Sequence, residues 1–221
     1  MEKREAFIFI AQPSREKELW SKRNKLEVSK YNIDESFKEL ISLFKGYKKD
    51  ITIWKDYDRN KIETYIKKFN RLIYNYISAS YSILGHLENF YKNEDNLELK
   101  KLINKEKRKL EEDKKISFIK GIRNLIQHHR FPLTIANGFG FKNKRIIYPK
   151  FCLNKKDLML FNGWNEIAKN YLKKLPKEIN LEPIIRYQNE KINNLYNIIY
   201  KKITKIFCKE ISTYEEALRH F

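Results

Sequence analysis

Residues 117–133 read Ser-Phe-Ile-Lys-Gly-Ile-Arg-Asn-Leu-Ile-Gln-His-His-Arg-Phe-Pro-Leu. Arg123, Asn124, His128 and His129 thus fall within one apolar stretch. Arginine is a permanent cation whose planar fork matches the oxygens of a phosphate, and histidine exchanges protons near neutral pH. Those residue types support cationic and acid–base chemistry on an anionic substrate.

The stretch has helical periodicity. At about 100° per residue, Phe118, Ile122, Leu125 and His129 form one stripe, flanked by Ile119 and Ile126. Asn124 and His128 are four apart and share a second face, while Arg123 and Gln127 share a third. Pro132 has no N–H and pushes Phe131 out of the helical region, so the helix is expected to stop near Arg130. His128 then lies in the last turn, where free carbonyls and the negative end of the macrodipole favour an imidazolium.

The run Arg123-Asn124-Leu125-Ile126-Gln127-His128 resembles the signature of the HEPN superfamily, in which an arginine and an adjacent polar residue precede a histidine on one helix. The resemblance implies an all-α bundle with long antiparallel helices, the motif lying near the end of a long helix that follows another. It also implies a homodimer in which two motifs meet to form a metal-independent ribonuclease site with no cofactor. Carried over to this chain, Arg123 holds the scissile phosphate, His128 handles the proton of the 2′-hydroxyl or the leaving oxygen, and Asn124 orients them. Toxin and phage-defence roles, an antitoxin or other defence-system protein as partner, and RNA as substrate belong to the same expectation. Arg123 and His128 are five positions apart, about 140° on an ideal helix. Either the reach of arginine or a second protomer must bring them together. His129 also fits the looser spacing of the motif, but its place on the apolar stripe marks it as structural or as part of a dimer seam.

Composition agrees with a polyanionic partner. The chain has 221 residues, 47 Lys plus Arg against 28 acids, and a net charge of +19. Such an excess points to nucleic acid first and an anionic membrane surface second, although a bias toward Lys, Asn, Ile and Tyr explains part of it. Cys152 and Cys208 match no metal-ligand spacing and read as small buried apolar residues in a reducing cytoplasm. Residues 6–11 are too short for a signal core, and no apolar run approaches the ~20 residues of a spanning helix.

The rest of the chain reads as one mostly helical domain, 1–221, with residues 1–57 as an N-terminal helical appendage and 58–207 as the bundle core. Ser14 precedes a helical pattern over 15–28. Asp34 reads as the N-cap of a short amphipathic helix ending at Gly46. Residues 50–58 suit a loop that tucks Trp54 inward. The strongest period, from Ile62 to Tyr91, predicts a long helix that contains His86, read as a hydrogen-bonded structural histidine. Residues 96–115 become almost wholly charged, predicting a solvated helix with local ion pairs, continuous with the motif helix or broken at 113–116. Residues 133–153 read as a β-hairpin or ordered loop inserted after the motif helix. Two readings of it stand: a substrate guide with Arg130, Lys142, Lys144, Arg145 and Lys150 on phosphates and aromatic residues for stacking, or a cap on the bundle. A helix from Asn154 or Asp157 to Pro176, another over 180–207, and a tail from 208 that frays or forms a short helix complete the pattern.

The sequence contains no Gly-rich phosphate loop, no Gly-flanked nucleophilic serine, no HExxH, and no carboxylate cluster spaced for two divalent ions. RNA cleavage without a metal needs a base, an acid and cationic stabilisation of the phosphorane, which histidine and arginine supply. The alternative from another class is a non-catalytic RNA- or nucleotide-binding helical module that acts through a protein partner.

Overall fold

The computed structural model describes residues 3–49, 59–92, 96–128, 133–136, 140–142, 145–147 and 150–220. The protein is all-α in class. Its helices are α1 (Lys3–Ala11), α2 (Arg15–Lys49), α3 (Arg59–Lys92), α4 (Leu97–Glu112) and α5 (Lys114–His128), then α6 (Lys155–Met159), α7 (Glu166–Lys174), α8 (Glu182–Ile206) and α9 (Cys208–Arg219). Between α5 and α6 lie β1 (Leu133–Ala136), β2 (Gly140–Lys142), β3 (Arg145–Ile147) and β4 (Lys150–Asn154), and β5 (Glu178–Asn180) precedes α8.

By internal contacts the chain forms two compact units: residues 1–32, 80–107 and 193–221, and residues 33–79 and 108–192. In the first, α1 packs on α9. Phe9 and Trp20 both meet Tyr214, and Phe90 lies 5.9 Å from Phe207. Arg23 pairs with Glu215 and, at 3.2 Å, with Glu27, which also accepts from the Tyr200 hydroxyl. The tail is thus an ordered helix with Ile211, Tyr214 and Ala217 buried.

In the second unit α2 and α3 run antiparallel. The aromatic pairs Phe37–Tyr76, Phe44–Phe69 and Tyr47–Tyr65 step backward along α3 as they step forward along α2, with centroids 5.2–5.8 Å apart. The Tyr76 hydroxyl donates to the carbonyl of Ile185 on α8.

Several expectations are corrected. The expected break between residues 28 and 34 is absent: α2 is one 35-residue helix, with Asp34 and Gly46 in its interior. Residues 15–49 contain no proline, and Leu19, Leu26, Ile33, Leu40 and Tyr47 are fully buried at intervals of seven, so one seam runs the whole length. The helix expected between residue 157 and Pro176 is two. Asn154 caps the five-residue α6 through Lys156 N (2.9 Å), and Asn165 caps α7 through Ala168 N (2.8 Å). The break holds Gly163, whose missing Cβ leaves room for the ring of Phe161. The last long helix begins at Glu182, because 178–180 pair with β4 in register Cys152↔Asn180, giving an antiparallel sheet β1-β4-β5. The insertion after the motif helix is therefore an outer pair, β1 with β4, around an inner hairpin, β2 with β3. Cys152 is buried as expected, but Cys208 is exposed. In the charged run, Lys107 pairs with Glu88 and Lys202 with Glu98, so ion pairs there also bridge separate helices. Residues 50–58, with Trp54, lie outside the described residues. No helix among the described residues is long and apolar enough to cross a membrane.

Candidate functional site

The motif helix α5 is fixed at its start by Asp113. One carboxylate oxygen accepts from the backbone N–H groups of Lys115 (2.8 Å) and Ile116 (3.1 Å), as an N-cap does. The other accepts from the Tyr187 hydroxyl of α8 at 2.5 Å. That hydrogen bond pushes the phenol up to about 12, helped by burial and the nearby negative charge. Lys115 Nζ lies 4.1 Å from the Tyr187 ring centroid, a cation–π contact beside the same carboxylate. The charged run and the motif helix therefore break at Asp113.

The buried face of α5 is the one the wheel predicts. Phe118, Ile119, Ile122 and Leu125 are buried, and Ile126 is half-buried. Trp164 lies flat on this helix. Its ring stacks on Phe118 (5.4 Å, 4°), its indole N–H donates to the carbonyl of Leu158 (2.7 Å), and it covers the backbone at Gly121. One turn earlier, the Ser117 hydroxyl donates to Asn165 Oδ1 (2.9 Å) and accepts from Asn165 Nδ2 (2.7 Å). The N-cap of α7 thereby ties α7 to α5.

Arg123 and Asn124 follow on the same helix, both half-buried, and Gln127 is exposed. His128 is the last described residue of α5, one turn beyond Asn124. Its side chain, and His129, Arg130 and Lys144 altogether, lie outside the described residues. Lys142 and Arg145 are register partners across β2 and β3. The backbone of the hairpin thus brings these two basic positions together, and Lys150 begins β4. His86 is half-buried within α3. Among the described residues no group of three or more His, Cys, Asp or Glu is placed to hold a metal ion.

Sequence reasoning missed the docking of Trp164 on Gly121. It also missed the basic residues Lys38, Lys68 and Arg71, which line one groove between α2 and α3. An i, i+3 cationic pair in a periodic helix was the only signal of the latter in the sequence. None of the protein-family models, curated proteins or solved structures compared with the chain matches it.

Proposed function

We propose that the protein is a metal-independent endoribonuclease that cuts RNA by attack of the 2′-hydroxyl, acting as a homodimer in the cytoplasm. The observation that carries this reading is the placement of the motif. Arg123 and Asn124 stand half-buried on a helix anchored by Asp113, Ser117 and Trp164, and His128 lies one turn beyond Asn124 on the same helix. Anchoring of this kind restricts the movement of catalytic side chains, which transition-state stabilisation requires.

In the proposed reaction the neutral imidazole of His128 takes the proton of the 2′-hydroxyl. The 2′-oxygen then attacks phosphorus while the bond to the 5′-oxygen breaks. The departing oxygen takes a proton from the imidazolium of the second protomer's His128. Arg123 neutralises the charge that builds on the equatorial phosphate oxygens, and Asn124 orients the substrate. The products are a 2′,3′-cyclic phosphate and a 5′-hydroxyl. The net charge of +19 favours capture of the polyanionic substrate. A role as a toxin or phage-defence effector, restrained by an antitoxin or other defence-system protein, rests on the resemblance to the HEPN superfamily.

The second reading is a non-catalytic RNA- or nucleotide-binding module working through a protein partner, favoured by the basic composition alone. The two separate on a matched RNA and DNA strand of one sequence, incubated in EDTA with wild type and His128→Ala. The nuclease reading expects cleavage of the RNA only, and only by wild type. RNA binding without cleavage by either protein selects the binding module.

A further inference from the structure

A groove of about 580 Å³ runs between α2 and α3 within the unit of residues 33–79 and 108–192. Its floor is the buried pair Leu43 and Leu72, with the half-buried Tyr65 at one side. Lys38 and Ser42 stand exposed on the α2 wall, one turn apart, and Lys68 and Arg71 stand exposed on the α3 wall, three apart and so on one face. Three cations from two helices therefore face one channel, with Glu39 the one acid among its described lining residues. Lys38 also meets Glu35 at 2.6 Å, an exposed pair of the kind that contributes little to stability. Gly46 opens the α2 wall further: a Cβ there would meet nothing within 4 Å.

We propose that this groove is a second, non-catalytic contact surface for single-stranded RNA. Lys38, Lys68 and Arg71 take successive backbone phosphates, and Tyr65 offers an aromatic face to a base. An open channel with cationic rims and an aromatic wall is the arrangement by which single strands are held without base readout. An enclosed pocket with converging polar groups, as a small ligand needs, is a different geometry. The inference rests on RNA being the substrate, and it adds a surface remote in sequence from Arg123 and His128.

The test uses a 2′-O-methyl single strand, which cannot be cut through its 2′-oxygen, titrated against the full chain at several salt concentrations. Lys38→Gln/Lys68→Gln/Arg71→Gln is expected to lower affinity about tenfold or more and to flatten the logarithmic salt slope by about 2, at about 0.7 for each phosphate no longer neutralised. Gly46→Phe fills the groove without touching charge and is expected to weaken binding as well. A control that removes equal charge elsewhere, Lys101→Gln/Lys105→Gln/Lys201→Gln, is expected to bind within twofold of wild type. Equal losses in the groove and control variants would overturn the inference, as would a mononucleotide binding as tightly as the strand. Loss of binding to anionic vesicles alone, with strand affinity intact, would overturn it too. Groove-independent binding by a protein that still cleaves RNA would sink this inference alone. Groove-dependent binding without cleavage would sink the nuclease reading alone.

Discussion

Gly121 and Trp164 are in such close contact that the helix backbone at position 121 serves as the floor under the indole ring. A Cβ on residue 121 would fall inside the van der Waals envelope of that ring. Trp164 is also stacked on Phe118 and hydrogen-bonded to Leu158, so it has little freedom to retreat. Gly121→Ala should therefore destabilise the protein by about 1–3 kcal/mol through overpacking, despite the ordinary helical advantage of alanine. The sign should reverse in a Trp164→Leu background, where the alanine would gain up to about 1 kcal/mol. Urea denaturation of the four proteins in this cycle checks both numbers.

Gly46 and Gly85 behave differently. Each lies inside a long helix, and a Cβ at either would meet nothing within 4 Å. Alanine at each should raise stability by about 0.5–1 kcal/mol, because glycine loses more backbone freedom on folding. A fall in melting temperature for Gly46→Ala would mean that α2 does not run through this residue.

The bond between Tyr187 and Asp113 should have its own pH signature. Its phenol is raised from the ordinary 10 to about 12, chiefly by the hydrogen bond to the Asp113 carboxylate. A group with a raised folded-state value contributes stability in full below its unfolded value and loses it as pH rises through the folded one. The stability difference between wild type and Tyr187→Phe should thus be constant from about pH 7 to about pH 10 and shrink from there toward about pH 12. Denaturation midpoints of both proteins across that range provide the check, and a gap that widens with pH would contradict the assignment.

If the active site takes one His128 from each protomer, a heterodimer of wild type with His128→Ala lacks either the base or the acid. Wild type co-refolded with an excess of His128→Ala should therefore lose activity well beyond simple dilution. Activity that stays constant per wild-type chain would place the whole site within one protomer.

Much of this fold was legible from periodicity. The long helix α3 and the buried face of α5 follow from apolar spacing, whereas the stop expected before Pro132 falls on residues outside the described ones. The continuity of α2 was hidden because its seam of single apolar residues every seventh position is diluted by charges, and Asp34 imitates a cap. The break between α6 and α7 depends on Phe161 folding over Gly163 and on Trp164 docking onto Gly121, contacts between residues up to 43 positions apart. Strand β5 depends on pairing with β4, which its own three residues do not announce. Arg123 and Asn124 could be placed on a helix face from sequence, whereas Lys38, Lys68 and Arg71 line one groove only because α2 and α3 pack antiparallel.

The most direct test of the central claim is the chemistry of the RNA ends produced in EDTA by wild type and by His128→Ala. Transesterification through the 2′-hydroxyl predicts 2′,3′-cyclic phosphate and 5′-hydroxyl ends, with the rate falling at least about 10²-fold in the variant, the usual share of a general acid or base. Cleavage that persists in His128→Ala, or that leaves a 5′-phosphate, would contradict the assignment of this helix as the active site.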